Sequence, residues 1–209
     1  MSARESILRR LRTERGAADV QAVLAARQRG PQPRPYADRI ARFAERARSL
    51  ASSVSQVDDM NRVPAEIARY LEEHRLDKRL VCWSQWRDLD WHGAHIDAEC
   101  RKVTPGDLIG VTGAFAAIAE TGTLVMASGE ATPPALSLLP ETHIAVLPAE
   151  RIVNTMEDAF ALLRVEKPDW TRAVNLISGP SRTADIEQTV TLGAHGPYRV
   201  HIIIVGAGK

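Results

Sequence analysis

The sequence is poor in cysteine, in long apolar runs and in net charge, and each shortage excludes a class of protein. Its only cysteines, Cys82 and Cys100, form no C-x-x-C motif, so the chain has neither a zinc ribbon nor a full set of cluster ligands. No apolar run approaches the ~20 residues of a membrane span. The net charge of +1 argues against a dedicated nucleic-acid binder.

These shortages also suggest where the protein works. No apolar core of a signal peptide precedes a cleavage site, so we expect a reducing, cytoplasmic environment. The two isolated cysteines are interpreted as ordinary buried small residues.

Common catalytic motifs are absent. The sequence has no Walker A motif, no G-x-S-x-G elbow and no intact G-x-G-x-x-G, so phosphotransfer and nicotinamide chemistry are not supported. His92 and His95 have a metal-like spacing, but Gly93 is a poor helix former and no third ligand stands nearby. We therefore predict no metal site.

Positive charge is concentrated near the N-terminus. Residues 1–50 contain twelve arginines, no lysine and only five acidic residues. Apolar spacing predicts helices over 2–28 and 38–50, separated by a proline-rich break. We predict a basic helical arm over 1–50, which is either a partner-docking element or a solvated helical face, followed by a domain over 51–209.

Strands and helices alternate in the second part of the chain. Strands are predicted at 53–57, 80–83, 108–112, 123–127, 143–148, 173–177 and 200–205, and helices at 64–74, 114–120, up to 139, up to 164 and 183–191. Residues 84–105 are predicted to be irregular. Most strands are continuous apolar runs, which is typical of an open α/β sheet buried on both faces. Ligands in such sheets bind at the carboxyl ends of strands, where the loops at 112–113, 128–130 and 178–181 are expected.

The first candidate site motif is Ala119-Glu-Thr-Gly-Thr123. Gly122 is predicted to end the helix with a positive φ. Glu120 would then stand at a helix C-terminus, where the dipole disfavours a carboxylate, so it is a candidate nucleophile or base. The alternative is a surface glutamate beside a helix stop.

The second motif is Ser178-Gly-Pro-Ser-Arg-Thr-Ala-Asp-Ile-Glu187. A helix beginning here would offer free N–H groups, two hydroxyls and a guanidinium to an anion. The alternative is a capped helix start with Asp185 and Glu187 in its first turn.

The third motif is Gly193-Ala-His-Gly-Pro197. A histidine flanked by small residues before a terminal strand can contact an anion or transfer a proton. The alternative is a turn in which His195 is incidental.

The order of these motifs resembles the LUD-domain family, in particular its lactate-utilization protein C (LutC, YkgG-like) branch. The resemblance covers 107–205 and includes Asp107-Leu-Ile-Gly-Val-Thr-Gly113 and Leu139-Pro-Glu-Thr-His143 besides the three motifs. It implies a Rossmann-like open sheet similar to the NagB/RpiA/CoA-transferase-like fold.

The resemblance also implies a function and partners. Members of this branch act in the oxidation of L-lactate to pyruvate with two partner proteins that carry iron–sulfur clusters. We therefore expect no cofactor on this chain, and clusters on its partners. The alternative is a stand-alone enzyme of the transferase or isomerase type that acts on a small carboxylate or phosphate ligand.

We predict that the three motifs converge at the carboxyl edge of the sheet and bind a small carboxylate or phosphate-bearing ligand. Arg182 would grip the carboxylate, and Glu120 or His195 would handle a proton. The predicted cradle around the ligand consists of Thr121, Gly122, Thr123, Ser181, Thr183 and Gly196.

Overall fold

A computed structural model describes residues 3–14, 22, 34–167, 169, 171–184, 190–192 and 196–206. The chain divides into two compact units, Met1–Arg34 and Pro35–Lys209. In the first unit, helix α1 (Ala3–Glu14) confirms the N-terminal part of the predicted helix. Residues 15–21 and 23–28 of that prediction lie outside the described residues. Within the described part of the chain, no helix has the length and apolarity needed to cross a membrane.

The second unit contains the other helices and strands whose bounds the structure describes. Its helices are α2 (Arg39–Ser49), α3 (Val63–Glu73), α4 (Ala135–Leu138) and α5 (Met156–Glu166). The strands, in chain order, are β1 (Ser53–Val57), β2 (Arg79–Cys82), β3 (Asp97–Glu99), β4 (Ile109–Gly113), β5 (Ala116–Ile118), β6 (Thr123–Ala127), β7 (Thr142–Pro148), β8 (Ile152–Val153), β9 (Val174–Ile177), β10 (Arg182–Ala184), β11 (Val190–Leu192) and β12 (Arg199–Val205).

The strands form two larger sheets and a hairpin. The main sheet has the order β1-β12-β7-β4-β2-β3, and all of its neighbours pair in parallel. The second sheet has the order β8-β5-β6-β9, in which β6 runs antiparallel to both of its neighbours. The third pairing joins β10 and β11 in antiparallel fashion. The predicted α/β fold with an open, mostly parallel sheet is confirmed.

Helix α2 belongs to the second unit, although the sequence analysis placed it in the arm. Asp38 caps the helix by accepting a hydrogen bond from the N–H of Ala41. Phe43, Ala44 and Ala47 follow at helical spacing and are buried in the main core. The compact unit therefore begins at Pro35, and the stretch before it contains α1.

The helix predicted at 114–120 is wrong, because this segment forms strand β5. Ala116 and Ile118 are buried in one small apolar cluster, whereas Ala117 and Ala119 are buried in the main core. This alternation is the period of a strand with both faces covered. Pairing with β6 and β8 outweighs the helix propensity of an alanine-rich segment.

The helix predicted at 183–191 is also wrong where the structure describes it. Arg182–Ala184 and Val190–Leu192 pair as strands, with Arg182 opposite Leu192. Residues 185–189, which include Asp185 and Glu187, lie outside the described residues. Ser178–Ala184, the described part of Ser178–Glu187, therefore does not form the helix N-terminus that was expected to bind an anion.

Other predicted elements are confirmed to within a few residues. Helix α5 begins at a full capping box, in which Thr155 and Asp158 each bond the other's backbone N–H. The stretch 84–105, predicted to be irregular, contains a single 3-10 turn and the three-residue strand β3. Its tryptophans Trp86 and Trp91 are buried, so they anchor this long connection to the core.

Candidate functional site

A crevice opens at the carboxyl edge of the main sheet, where strand β4 ends. It has a volume of about 280 Å³, and Trp83, Gln85, Gly113 and Arg151 line it. Arg151 donates to both carboxylate oxygens of Glu166, at 2.8 and 2.9 Å, so the charge of this guanidinium is already balanced. Open α/β sheets bind their ligands in a crevice at this edge, but Arg151, the arginine that lines it, is already paired.

The three motifs do not meet at this edge of the main sheet, where they were predicted to converge, but near the start of strand β12. In the second sheet, Ala127 pairs with Val174 and Leu124 pairs with Ile177, so the loops after β6 and β9 leave opposite ends of that sheet. Ser181 instead lies near the start of β12, where its N–H donates to the carbonyl of Pro197 at 2.8 Å. Antiparallel pairing, which the apolar runs alone do not reveal, causes the difference.

Hydroxyl groups connect the first motif to the second. Thr121 donates to Thr123 over 2.7 Å between their Oγ1 atoms, and Thr123 Oγ1 lies 2.8 Å from Ser178 Oγ. Thr123 is almost fully buried, at 3% exposure, whereas Ser178 is exposed. These three residues therefore form a hydroxyl chain with a buried middle member, Thr123, a partly exposed first member, Thr121, and an exposed last member, Ser178.

Two glycines allow the segments that carry this hydroxyl chain to pack closely against the last turn of helix α2. Gly122 has a φ of +71°, and a Cβ at this position would lie 2.5 Å from the backbone nitrogen of Ala47. Gly179 has a φ of +86°, and a Cβ there would lie 2.2 Å from the carbonyl oxygen of Leu50. Both positions require glycine for conformation and for space. The predicted positive φ of Gly122 is confirmed, but it follows a strand and not a helix.

The second and third motifs also meet. Besides the Ser181–Pro197 hydrogen bond, a Cβ on Gly196 would lie 3.3 Å from the Cβ of Ser181. Arg182 follows directly, and its side chain is exposed. The side chain of Thr183 and the whole of His195 lie outside the described residues. The loop Ser178–Ser181 is thus the point at which parts of all three motifs come together.

Glu120 does not stand at the end of a helix. It follows strand β5, its N–H donates to the carbonyl of Asn154 at 3.0 Å, and its side chain is partly buried. The argument that a helix dipole disfavours this carboxylate is therefore wrong, because no helix ends at this position. A catalytic role for Glu120 stays a prediction.

Arg46 is a residue near this site that the sequence analysis missed. Its Cβ would lie 2.8 Å from a Cβ placed on Gly122, so the arginine stands directly over the first motif. The Nε of Arg46 is buried, and among the described residues it has no hydrogen-bond partner. One arginine among the twelve of 1–50 carries no distinguishing signal in the sequence, so only packing identifies it.

A second polar cavity, of about 330 Å³, lies at the opposite, amino edge of the main sheet. It is lined by Ser52, Ser53, Tyr70, His74 and Arg199, among others. Arg199 is close to the third motif in the chain, and its guanidinium stacks on the ring of the adjacent tyrosine, 4.1 Å from the centroid. The third motif therefore leads into a cavity that contains an arginine.

The two cysteines, which are far apart in the sequence, are neighbours in space; Cys82 is buried as predicted, whereas Cys100 is partly exposed. The Sγ atoms of Cys82 and Cys100 lie 2.9 Å apart. Among the described residues, no group of three or more His, Cys, Asp or Glu side chains is arranged to hold a metal ion. Two thiols are too few for an iron–sulfur cluster, which takes four protein ligands.

Sequence comparisons identify relatives of this chain. The LUD-domain family profile matches residues 87–205. A protein named lactate utilization protein C from Exiguobacterium sp. is 35% identical over 143 residues, which are 66% of this chain and 61% of that protein. A protein of the same name from Bacillus licheniformis is 34% identical over 119 residues, 56% of this chain and 49% of that protein. The chain thus matches about half to three-fifths of the length of these relatives.

A solved structure supports the same fold. The crystal structure of a DUF162 family protein from Deinococcus radiodurans superposes with a TM-score of 0.64. The match covers 83% of this chain and 100% of the other chain at 22% sequence identity. At that identity the likeness supports the fold alone.

Proposed function

The chain belongs to the LUD-domain family, and from this premise we propose that it is a component of a system that oxidises L-lactate to pyruvate. Its relatives from Exiguobacterium sp. and Bacillus licheniformis are named lactate utilization protein C, which supports the lactate assignment. In this proposal the chain binds a small carboxylate, and two partner proteins supply iron–sulfur clusters and the path for electrons. This division fits a chain with only two cysteines.

The proposed carboxylate site is centred on the loop Ser178–Ser181. The observation that carries it is the hydroxyl chain from Thr121 through Thr123 to Ser178. When Thr123 accepts from Thr121 and donates to Ser178, the exposed Ser178 keeps its own proton for a ligand. Consecutive hydrogen bonds polarise one another, so the terminal hydroxyl becomes a better donor to a carboxylate oxygen.

Two arginines supply positive charge to this site in the proposal. Arg182 is exposed at the end of the same loop and is free of ion pairs with the described residues, so it can turn towards a ligand. Arg46 stands over Gly122 with a buried, unpartnered Nε, and a bound anion would satisfy that donor. A guanidinium binds a carboxylate through two parallel hydrogen bonds, which suits the head group of lactate.

The remaining predicted site residues complete the proposal. Gly122 and Gly179 allow close backbone approach, Ser181 and Gly196 adjoin each other, and proton transfer is assigned to Glu120 or His195. Loss of the Thr123 hydroxyl in Thr123→Val would break the chain of hydroxyls at its middle.

Calorimetric titration with L-lactate tests the site. Arg182→Ala is expected to weaken L-lactate binding by about 1.5–3 kcal/mol, because a hydrogen bond to a charged group is lost. Arg172→Ala is the matched control. Arg172 is also exposed, but it lies just before the start of strand β9, whereas the loop Ser178–Ser181 follows the end of that strand. Pyruvate and inorganic phosphate, titrated in parallel, separate a carboxylate site from a general anion site.

Two outcomes of the titration would contradict the proposed site. If Arg182→Ala and Arg172→Ala bind L-lactate as the parent protein does, and both remain folded by circular dichroism, Arg182 does not belong to the site. Weaker binding in both variants to the same extent would indicate a diffuse electrostatic effect, and the loop Ser178–Ser181 would lose its assignment.

A further inference from the structure

Cys82 ends strand β2, and Cys100 directly follows the neighbouring strand β3. Strands β2 and β3 pair in parallel, with Leu80 opposite Ala98 and Val81 opposite Glu99. The residues that follow Val81 and Glu99 in the chain are the two cysteines. Neighbouring strands lie about 4.8 Å apart, which is within the range of Cα separations that disulfides span. The backbone register therefore places the two cysteines side by side.

The side chains are already in contact. The two Sγ atoms lie 2.9 Å apart, whereas a disulfide bond is ~2.05 Å long. Both cysteines line a small pocket of about 120 Å³, together with Ser84, Arg101 and Lys102. This volume admits several molecules the size of water, each of which occupies about 30 Å³ in the liquid.

The two thiols differ in their access to solvent. Cys82 is 1% exposed, whereas Cys100 is partly exposed. Burial, followed by the hydrogen bond to Cys100, raises the pKa of the Cys82 thiol well above its usual range. Cys100 is therefore the thiol that a small oxidant in the pocket can reach first.

We propose that Cys82 and Cys100 are a reversible dithiol–disulfide site, in which Cys100 reacts first with a small hydroperoxide and Cys82 resolves the product. The Cys100 thiolate attacks a peroxide oxygen, the O–O bond breaks, and Cys100 becomes a sulfenic acid while hydroxide leaves and takes up a proton. The Cys82 sulfur then attacks the Cys100 sulfur and gives up its proton, an S–S bond forms, and water leaves. Two thiols lose two electrons, and one hydrogen peroxide becomes two waters.

The disulfide would close the connection 83–99 at its base. Trp83 and Gln85 of this connection line the crevice at the end of strand β4. Oxidation therefore fixes a wall of that crevice, and the tryptophan next to Cys82 reports the change by its fluorescence.

Mass spectrometry of the native full-length chain tests the proposal. After treatment with hydrogen peroxide, the intact protein is expected to lose two hydrogen atoms and to resist alkylation by N-ethylmaleimide. A tryptic digest without reductant should contain residues 80–87 joined to 88–101, since cleavage after Arg79, Arg87 and Arg101 separates the cysteines. Dithiothreitol should restore two alkylatable thiols.

Two single variants assign the roles. In Cys82→Ser, the sulfenic acid on Cys100 should persist and be captured by dimedone, whereas in Cys100→Ser the buried Cys82 should stay reduced. The proposal is overturned if the native protein keeps both thiols after peroxide treatment, if the linked peptides form only after denaturation, or if the link joins two chains. The result on the unsubstituted protein decides the matter even if a variant fails to fold.

Discussion

At the scale of the residue, the sequence predicts which positions have an unusual backbone better than it predicts why they need it. The positive φ of Gly122 was predicted correctly, but its role as an approach point for helix α2 depends on Ala47, which is 75 positions earlier in the chain. Glu120 was selected as the end of a helix that does not exist. A local pattern identifies an unusual backbone, whereas the neighbours that make it necessary come from distant segments.

Substitution of Gly122 by alanine tests this close approach. Gly122→Ala should lower the free energy of unfolding by at least about 3 kcal/mol, because the new Cβ meets the backbone of α2 in addition to the cost of a left-handed conformation. Urea denaturation followed by circular dichroism measures the change.

Two other glycines provide matched controls for that substitution. Gly206 has a φ of +79° with no atom within 4 Å of a built Cβ, so Gly206→Ala should cost only the conformational term of about 1 kcal/mol. Gly106 has open space and no positive φ in the left-handed region, so Gly106→Ala should be close to neutral. Equal losses for Gly122→Ala and Gly206→Ala would show that the approach to α2 is not close.

At the scale of the element, continuous apolar strands were predictable and their partners were not. The strands β4, β7 and β12 were read directly from runs of apolar residues. The segment Ala116–Ile118 was misassigned, because alanine favours helices and the composition of the segment does not reveal its pairing with β6 and β8. The hairpin β10–β11 was also missed, because its two three-residue strands are too short to show a clear alternation of apolar and polar residues.

The two adjacent strands at the centre of the main sheet each carry a buried histidine. His143 on β7 accepts from or donates to Thr112 at 2.8 Å, and His201 on β12 contacts Ser53 at 2.8 Å and stacks on Tyr70. Burial lowers the pKa of each histidine to about 4 from the ordinary value of 6.5. Both side chains are therefore neutral in the folded protein at pH 7.

These histidines make stability depend on pH in a defined window. Between pH 6.5 and 4 the unfolded chain binds more protons than the folded chain, so the stability is complete above pH 6.5 and is lost as the pH falls towards 4. The loss is on the order of 3 kcal/mol for each histidine, at 1.36 kcal/mol per pKa unit.

A pair of variants isolates this contribution. His143→Leu should show a smaller loss of unfolding free energy between pH 7 and 4.5 than the parent protein in urea denaturation. His92→Gln, at an exposed position, should retain the full pH dependence. If His143→Leu follows the same pH profile as the parent protein, then His143 is not held neutral by burial.

At the scale of the whole molecule, the order of motifs along the chain was more informative than any single motif. The LUD-domain resemblance was confirmed, and with it the open α/β sheet. The motifs meet near the start of strand β12 and not at the predicted carboxyl edge, because the antiparallel pairing of β6 and β9 places the loop after β9 at the opposite end of the second sheet from the loop after β6. Sequence order therefore indicates the family and its fold, whereas the site's location depends on how the strands pair.

In our account, the N-terminal segment 1–34 of the basic arm binds the partner proteins. Helix α1 exposes Ile7, Leu8 and Leu11, which share one face of the helix among arginines. Helix α2, in contrast, contributes to the core of the compact unit. Removal of residues 1–34 is therefore the appropriate truncation for partner binding, because removal of 1–50 would also delete Phe43 and Ala47 from the core.

The measurement that most directly tests the central claim is L-lactate-dependent reduction of an artificial electron acceptor. It compares the chain alone, the two iron–sulfur partners alone, and all three proteins purified together. We expect reduction only when all three are present, with a loss of rate in Arg182→Ala that Arg172→Ala does not share. Absence of L-lactate-dependent reduction in the complete assembly with intact clusters, or full activity of the partners without this chain, would contradict the account.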